Sequence, residues 1–209
     1  MKSVIITHQT YIKTPLKIKF FERLLNIINT KQINKFAECW VPDIEGEGNI
    51  SGELSHKNKQ INDLKYIGIL SRFEKLNNSD KTNKVLAIIS GPEPQRTVFE
   101  DILINKFSKE NYKSIIVRGT NIGSKNDINN ISFINIANSK QLQQLISQSE
   151  NIISRSGYSS ILDYVKLGVK AILVPTPGQT EQEYLAEYIS QKNNFTHVCQ
   201  TEIRKFIIS

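Results

Sequence analysis

Residues 154–160 read Ser-Arg-Ser-Gly-Tyr-Ser-Ser, and this run of small polar residues has the composition of a phosphate-binding turn. It follows the apolar pair Ile152 and Ile153 and precedes a segment of helical periodicity, so it opens a helix. Unpaired backbone N–H groups at a helix start attract anions, and Gly157 allows a phosphate to approach the backbone closely. Serine and glycine also cap helices for structural reasons alone, and that alternative stays open.

Asp163 lies three residues beyond Ser160, about one helical turn further along the chain. Its carboxylate can face the same side as the turn and accept two hydrogen bonds from a ribose diol, as an acidic residue does in dinucleotide-binding folds. The alternative is a negative charge that stabilises the first turn of the helix and binds no ligand.

A second polar loop, residues 175–186, reads PTPGQTEQEYLA. Two prolines and a glycine fix an irregular loop there. Gln179, Glu181 and Gln182 carry amide and carboxylate groups that donate to and accept from sugar hydroxyls. A simple turn does not need so many polar groups, so we interpret the loop as a sugar-binding element.

From residue 84 onward, β-branched runs alternate with helical periodicity, as in repeated βαβ units. Strands are predicted at residues 85–90, 114–118, 132–136, 151–154, 171–174 and 196–200. Continuous apolar strands of this kind predict an α/β fold, a Rossmann-like parallel sheet with helices on both faces. The loops that follow the strands should then share one rim, where ligands bind.

The first seventy residues have a different pattern, with a strand at 4–7, a helix from about 15 to 30 and a short strand at 39–41. These elements are too few to close a Rossmann-like domain. Residues 77–83 are polar and aperiodic, which is typical of a linker. We therefore divide the chain into residues 1–76, a partial remnant of an N-terminal domain, and residues 77–209, the ligand-binding domain.

The composition is that of an ordinary globular protein, with 39% hydrophobic and 22% charged residues. No apolar run is long enough to cross a bilayer, and we expect a cytoplasmic protein. The net charge is +7, but no basic run exceeds two residues, so we expect no nucleic-acid partner. Cys39 and Cys199 are interpreted as buried thiols.

At these residues the chain is similar to glycosyltransferase family 28, specifically to its C-terminal donor domain, in a family that includes the peptidoglycan N-acetylglucosaminyltransferase. The match runs through residues 154–157 and then Ser160, Asp163, Gly168, Pro175 and Gln182, in the family's order and spacing. Residues 6–9 resemble the last strand of the family's acceptor domain, and residues 66–72 resemble its entry into the donor domain.

The resemblance implies a GT-B glycosyltransferase that binds a nucleotide-sugar, UDP-linked or another, and transfers the sugar with inversion and without a metal or other cofactor. Arg72 and the backbone of Ser90 and Gly91 would contact the diphosphate. Further roles are implied for residues 157–160 (Gly157, Ser159 and Ser160) at the phosphates, Asp163 at the ribose, Gln182 at the transferred sugar, and Arg118 and Arg155 at the rim. The imidazole side chain of His8 suits the role of a general base, although a lone histidine also caps or packs.

Four departures from the family limit what the resemblance implies. The chain has Ser90-Gly91-Pro92 where the family usually has Gly-Gly-Ser, Asp163 where it usually has glutamate, Leu185 where it commonly has asparagine, and no counterpart of the Gly-rich acceptor loop. We therefore expect a fragment or a split enzyme that needs a partner acceptor domain. Its acceptor would be lipid-linked or a glycan, reached by peripheral association with the inner membrane face.

Three alternatives remain open. A nucleotide-sugar epimerase shares the architecture but needs acid and base carboxylates near the sugar, and a non-catalytic donor-binding subunit of a split glycosyltransferase needs only the nucleotide site. A basic nucleic-acid-binding module would bind with strongly salt-dependent affinity.

Overall fold

The computed structural model describes residues 3–14, 19–74, 80–123, 125–192 and 194–208. The strands within these residues are β1 (Val4–Ile6), β2 (Glu38–Val41), β3 (Leu64–Tyr66), β4 (Asn83–Ile88), β5 (Ser114–Val117), β6 (Ile131–Ile134), β7 (Ser149–Ser154), β8 (Ala171–Leu173) and β9 (Phe195–His197). The helices are α1 (Lys19–Ile33), α2 (Glu53–His56), α3 (Gln95–Phe107), α4 (Ser139–Ser147), α5 (Tyr158–Leu167) and α6 (Thr180–Ser190).

Strands β4 to β9 form a six-stranded sheet in the order β6-β5-β4-β7-β8-β9, and every neighbouring pair is parallel. This is the usual strand order of a Rossmann fold. Each half has three strands, and the halves start at the adjacent central strands β4 and β7 and continue outward. The predicted Rossmann-like fold is therefore confirmed, and each predicted strand ends within three residues of the observed one.

The sheet is covered on both faces because successive side chains of its central strand point in opposite directions. Val85 and Ala87 of β4 join a core cluster with Phe99 of α3, whereas Leu86 joins a second cluster with Ile161 of α5 and Leu185 of α6. Helices α4, α5 and α6 thus contribute to the cluster on one face, and α3 contributes to the cluster on the other.

Strands β1, β2 and β3 form a separate three-stranded parallel sheet with β2 in the middle. The sequence predicted β1 and β2 but not β3, whose exposed middle residue, Lys65, interrupts the apolar pattern. Ile33 is the only buried residue of helix α1, and it packs in this sheet's small core with Cys39 and Val41. Large apolar side chains of α1 remain exposed, namely Phe20, Phe21, Leu24, Leu25, Ile27 and Ile28.

The segment after β2 connects the two sheets through a shared core. Ile50, Leu54 and Phe73 are buried in the same cluster as residues of α5 and α6. The Tyr158 hydroxyl of α5 donates to the carbonyl of Pro42 at 2.9 Å, and the Tyr188 hydroxyl of α6 donates to Asn49 at 2.9 Å. Residues 42–56 are therefore packed against the helices of the larger sheet.

The predicted domain boundary and residues 77–79 of the linker lie outside the described residues, as does the predicted helix start at 15–18. Asn83, assigned to the linker, begins β4 because its backbone pairs with Ser149. Cys39 is buried as expected, but Cys199 is exposed because β9 ends two residues before it. No helix in the described ranges is long and apolar enough to cross a bilayer.

Candidate functional site

The candidate site lies at the carboxyl edge of the larger sheet, where the strand order reverses between β4 and β7. The chain runs outward from β4 to β6 and returns to β7, so the loops after β4 and β7 diverge and leave a crevice. Gly91, after β4, has a φ of 103°, which L side chains rarely adopt, and nothing occupies the space where a Cβ would stand. At Gly157, after β7, the position of an added Cβ is likewise unoccupied. The backbone is therefore accessible on both sides of the crevice.

Helix α5 starts at this crevice. Gly157 is its N-cap with extended backbone angles, and no side chain caps the helix. The backbone N–H groups of Tyr158, Ser159 and Ser160 form the first turn, where helix geometry provides no intrahelical acceptor. Together with the positive end of the helix dipole, they favour an anion such as a phosphate.

Asp163, the sixth residue of α5, lies beside the same turn and is held by the segment that follows β3. Its Oδ1 accepts a hydrogen bond from the Ser71 hydroxyl at 2.6 Å, and its Oδ2 lies 3.3 Å from Nε of Arg72. The Arg72 side chain is 56% exposed. A cavity of about 290 Å³ is lined by Leu70, Arg72, Ser159, Ser160 and Asp163.

Four residues predicted from the sequence thus meet in one cavity: Arg72, Ser159, Ser160 and Asp163. The position of Asp163 also corrects the alternative explanation of its charge. A carboxylate at the sixth residue lies beyond the first turn, and the favourable interaction with the helix dipole falls off within that turn.

His8 lies against the first turn of α5 and the start of α6. Its ring stacks on the ring of Tyr158, with 4.1 Å between centroids and 8° between planes. Its Nε2 is 2.8 Å from Oε1 of Glu181. If Nε2–H donates to Glu181, Nδ1 of the neutral ring is left as the proton acceptor. Glu181 therefore orients the His8 ring. Glu181 is not among the residues that line the cavity of Asp163.

The loop after β8 is braced by its own polar side chains. The Gln182 Oε1 accepts from the backbone N–H of Thr176 at 3.0 Å, and its side-chain amide donates to Gln179 Oε1. The Ser156 hydroxyl donates to the Gln182 carbonyl at 2.8 Å, which connects this loop to the turn before α5. Gln179 and Gln182 therefore fix the shape of the loop next to the crevice.

Arg155 has a different environment from the one its rim position indicated. The side chain is buried, and its guanidinium donates to the carbonyls of Val174, Pro175 and Gln95 and to the Gln200 side chain. It lies over the ring of Phe99 with 4.0 Å to the centroid. Burial lowers the pKa of Arg155 to about 10. Its guanidinium thus connects the start of α3 with the loops after β8 and β9.

Arg118 is also buried, in a charged cluster behind the rim. Its Nε donates to Oε1 of Glu100 at 2.7 Å, and Nη1 donates to Asn135 at 2.8 Å. Arg96 donates to the other oxygen of Glu100 at 2.9 Å. The structure therefore does not bring Arg118 to the cavity that contains Asp163.

Ser71 was not singled out in the sequence, although its hydroxyl makes the shortest contact to Asp163 described here. The only sequence signal was its place beside Arg72 in the segment that resembles the entry into a donor domain. A serine one residue before a ligand candidate has no spacing that distinguishes it from any loop serine.

Comparison with known structures finds the same fold in several glycosyltransferases. The glycosyltransferase of kitacinnamycin has a TM-score of 0.59 at 11% identity, over 95% of this chain and 57% of that one. MurG of Acinetobacter baumannii has a TM-score of 0.57 at 10% identity, over 96% and 53%. The spinosyn forosaminyltransferase SpnP has a TM-score of 0.57 at 12% identity, over 98% and 60%. The chain thus spans little more than half the length of these enzymes.

A search of curated protein sequences finds no match to the chain. The model of the glycosyltransferase family 28 C-terminal domain, however, matches residues 80–208. The fold and the crevice define a Rossmann-like domain of the GT-B type. Because the family model covers more than half of the chain, the protein belongs to glycosyltransferase family 28.

Proposed function

We propose that this chain is the donor-binding part of a hexosyltransferase that uses a nucleotide-sugar, with UDP as the nucleotide. The observation that carries the proposal is the cavity at the start of α5, which combines an uncapped helix N-terminus, the exposed Arg72 and the carboxylate of Asp163. A helix N-terminus and an arginine suit a diphosphate, and a nearby carboxylate suits a ribose diol.

Each of these groups has a proposed role. The backbone of Ser90 and Gly91 and the N–H groups of Ser159 and Ser160 would bind the diphosphate together with Arg72. Asp163 would accept hydrogen bonds from the ribose. The loop that Gln182 braces would contact the transferred sugar.

The proposed chemistry is a single displacement with inversion. An acceptor hydroxyl oxygen attacks the anomeric carbon, the bond from that carbon to the diphosphate oxygen breaks, and the electron pair leaves with the nucleoside diphosphate. The hydroxyl proton passes to His8, which Glu181 orients. The positive end of α5 and Arg72 would stabilise the charge that develops on the leaving diphosphate, without a metal ion.

The acceptor and the setting belong to the same proposal. We infer a lipid-linked or glycan acceptor, held by a partner acceptor domain, with the protein in the cytoplasm and peripheral at the inner face of the membrane. The exposed apolar residues of α1 support a partner domain, because the apolar face of a helix normally packs against another element and large exposed apolar patches mark interaction sites.

The same surface favours a second candidate function, a non-catalytic donor-binding subunit of a split glycosyltransferase. In that case the nucleotide site and the partner surface are retained, and His8 has only a packing role against Tyr158. The two functions differ in whether a His8→Ala variant, assembled with an acceptor domain, transfers sugar as fast as the wild type.

A thermal-shift screen of nucleoside diphosphates and their sugars tests the shared part of both candidates. A ligand at 100 times its dissociation constant stabilises the folded state by about 2.7 kcal/mol. We expect UDP and UDP-sugars to raise the Tm and nucleosides without phosphate to leave it unchanged. If no nucleoside diphosphate shifts the Tm, the proposed function is wrong.

A further inference from the structure

We propose that Ser71 is a positioning residue that sets the direction of the Asp163 carboxylate and so determines selectivity for a ribonucleotide over a 2′-deoxyribonucleotide. The inference rests on the proposed function, because it assigns a further residue to the same nucleotide site. It concerns a side chain of the segment between the two sheets rather than one of the Rossmann-like domain's own loops.

The hydrogen-bond direction at Ser71 is fixed by its surroundings. The Ser71 oxygen accepts from the backbone N–H of Phe73 at 3.1 Å, and Phe73 is buried in the core shared by the two sheets. Because a hydroxyl has one proton, Ser71 directs that proton to Oδ1 of Asp163, 2.6 Å away. The bonds from Phe73 to Ser71 and from Ser71 to Asp163 thus form an oriented chain.

The second oxygen of the same carboxylate is held from another side. Nε of Arg72 lies 3.3 Å from Oδ2 of Asp163, so one oxygen accepts the Ser71 hydrogen bond and the other forms an ion pair with Arg72. An ionised carboxylate has about four lone-pair sites, and the Ser71 hydroxyl occupies one of them, so others remain for a ligand. The Ser71 hydrogen bond and the Arg72 ion pair therefore both act on a carboxylate that lines the cavity.

The short side chain of Asp163 makes this positioning consequential. An aspartate has one methylene fewer than a glutamate, so its carboxylate reaches less far from the α5 backbone. A small rotation of the carboxylate then moves it out of hydrogen-bond range of a diol, because hydrogen bonds weaken steeply with misalignment. Ser71 and Arg72 prevent that rotation, and both lie in a segment whose position depends on Phe73.

The test compares binding of UDP and 2′-deoxy-UDP to the full chain by titration calorimetry. For wild-type protein we expect tighter binding of UDP. Ser71→Ala should weaken UDP binding about 3- to 10-fold, the range for one net hydrogen bond, and change 2′-deoxy-UDP binding less than about 2-fold. Ser71→Thr retains the hydroxyl and should restore most of the selectivity.

Two controls separate positioning from a general loss of structure. Ser108→Ala removes an exposed hydroxyl that donates to the Asn105 carbonyl at the far end of α3, and it should leave both affinities unchanged. In an Asp163→Ala background, Ser71→Ala should have no further effect on UDP binding, because the carboxylate it positions is absent.

The outcomes distinguish this inference from the proposed function. If wild-type protein binds neither nucleotide, the proposed nucleotide site is wrong and the inference falls with it. If wild-type protein binds and Ser71→Ala weakens UDP and 2′-deoxy-UDP equally, Ser71 has only a structural role and the inference is overturned. Tighter UDP binding by Ser71→Ala would also overturn it, since Ser71 would then compete with the ribose.

Discussion

At the scale of single residues, Asp163 lines one cavity with Ser159 and Ser160 of α5, whereas Arg118 and Arg155 are buried and do not line it. Asp163, Ser159 and Ser160 were predictable because three- and four-residue spacing places side chains on one side of a helix. Arg155 and Arg118 follow strand ends, so they were assigned to the rim. Their guanidinium groups turn inward. Arg155 donates to the carbonyl of Val174, 19 residues away in the sequence, and Arg118 donates to Glu100, 18 residues away. No local spacing reveals either contact.

Asp163→Ala is the sharpest residue-level prediction. Removing hydrogen bonds from a ribose diol to a carboxylate should cost roughly 1.5 to 3 kcal/mol, or about 10- to 150-fold in affinity for UDP. Titration calorimetry measures the loss, and 2′-deoxy-UDP should no longer be discriminated against. Asp101→Ala removes an exposed carboxylate of α3 and should leave the affinity unchanged. Equal affinity of wild-type protein for both nucleotides would remove the ribose role from Asp163.

At the scale of secondary-structure elements, the strands were predicted well because a parallel sheet buried on both faces leaves continuous apolar runs. Strand β5, for example, is buried at all four residues. Strand β3 was missed because its middle residue, Lys65, is exposed and the strand has only three residues. The contacts between elements, such as the buried charges between α3 and β5, depend on the fold and could not be predicted from either element alone.

Glu100 of α3 gives a prediction for the acid stability of this region. Its burial by itself would raise its pKa, but hydrogen bonds from Arg118, Lys125 and Arg96 outweigh that effect and lower the pKa below 4.5. A lowered folded-state pKa adds stability above about pH 4.5, and that stability is lost as the pH falls through the folded-state pKa. Glu100→Gln should therefore make the free energy of unfolding depend less on pH in the acid range. Urea unfolding between about pH 3 and 7 measures this dependence.

The same variant should also lose stability at neutral pH. Removing one partner of a buried ion pair typically costs about 3 to 5 kcal/mol, and Glu100 pairs with two buried arginines. Glu187→Gln changes an exposed carboxylate of α6 and should leave the profile unchanged. An acid profile of Glu100→Gln identical in shape to that of the wild type would contradict the assigned role of the cluster.

Helix α1 should be far less protected against amide exchange than α3. Only Ile33 of α1 is buried, whereas seven of the 13 residues of α3 are. Local opening requires less free energy where few apolar contacts are lost. We therefore expect amide exchange in α1 to be at least about 100-fold faster than in α3, unless a second copy of the chain covers α1. Hydrogen exchange with mass spectrometry measures both rates. Equally slow exchange in both helices of a proven monomer would show that α1 needs no partner.

At the scale of the whole molecule, residues 42–56 join the smaller sheet to the larger one. The Tyr184 hydroxyl of α6 accepts from the backbone of Glu53 at 2.7 Å, and the Gly52 backbone lies so close to Tyr184 that a side chain there would collide with it. The sequence indicated two unlike regions but not this close packing. Its determinants are single aromatic and glycine residues more than 100 positions apart.

The last prediction is that these 209 residues alone bind a nucleoside diphosphate and do not transfer sugar to an acceptor. Rapid transfer requires that the acceptor hydroxyl be held against the anomeric carbon, a contribution of roughly 7 to 11 kcal/mol to lowering the barrier. In the described part of the chain, the elements outside the Rossmann-like domain are α1, α2 and the three short strands β1, β2 and β3, and most apolar side chains of α1 have no cover.

Calorimetry with UDP and mass spectrometry of products from a UDP-sugar and a panel of lipid-linked and glycan acceptors test both halves of that statement. Slow hydrolysis of the UDP-sugar is compatible with it, because water reaches an open crevice, and Asp163→Ala should reduce that hydrolysis in proportion to the lost affinity. Robust transfer to any acceptor by the 209 residues would contradict the prediction, since it would show that the three-stranded sheet and the donor domain already form a complete active site.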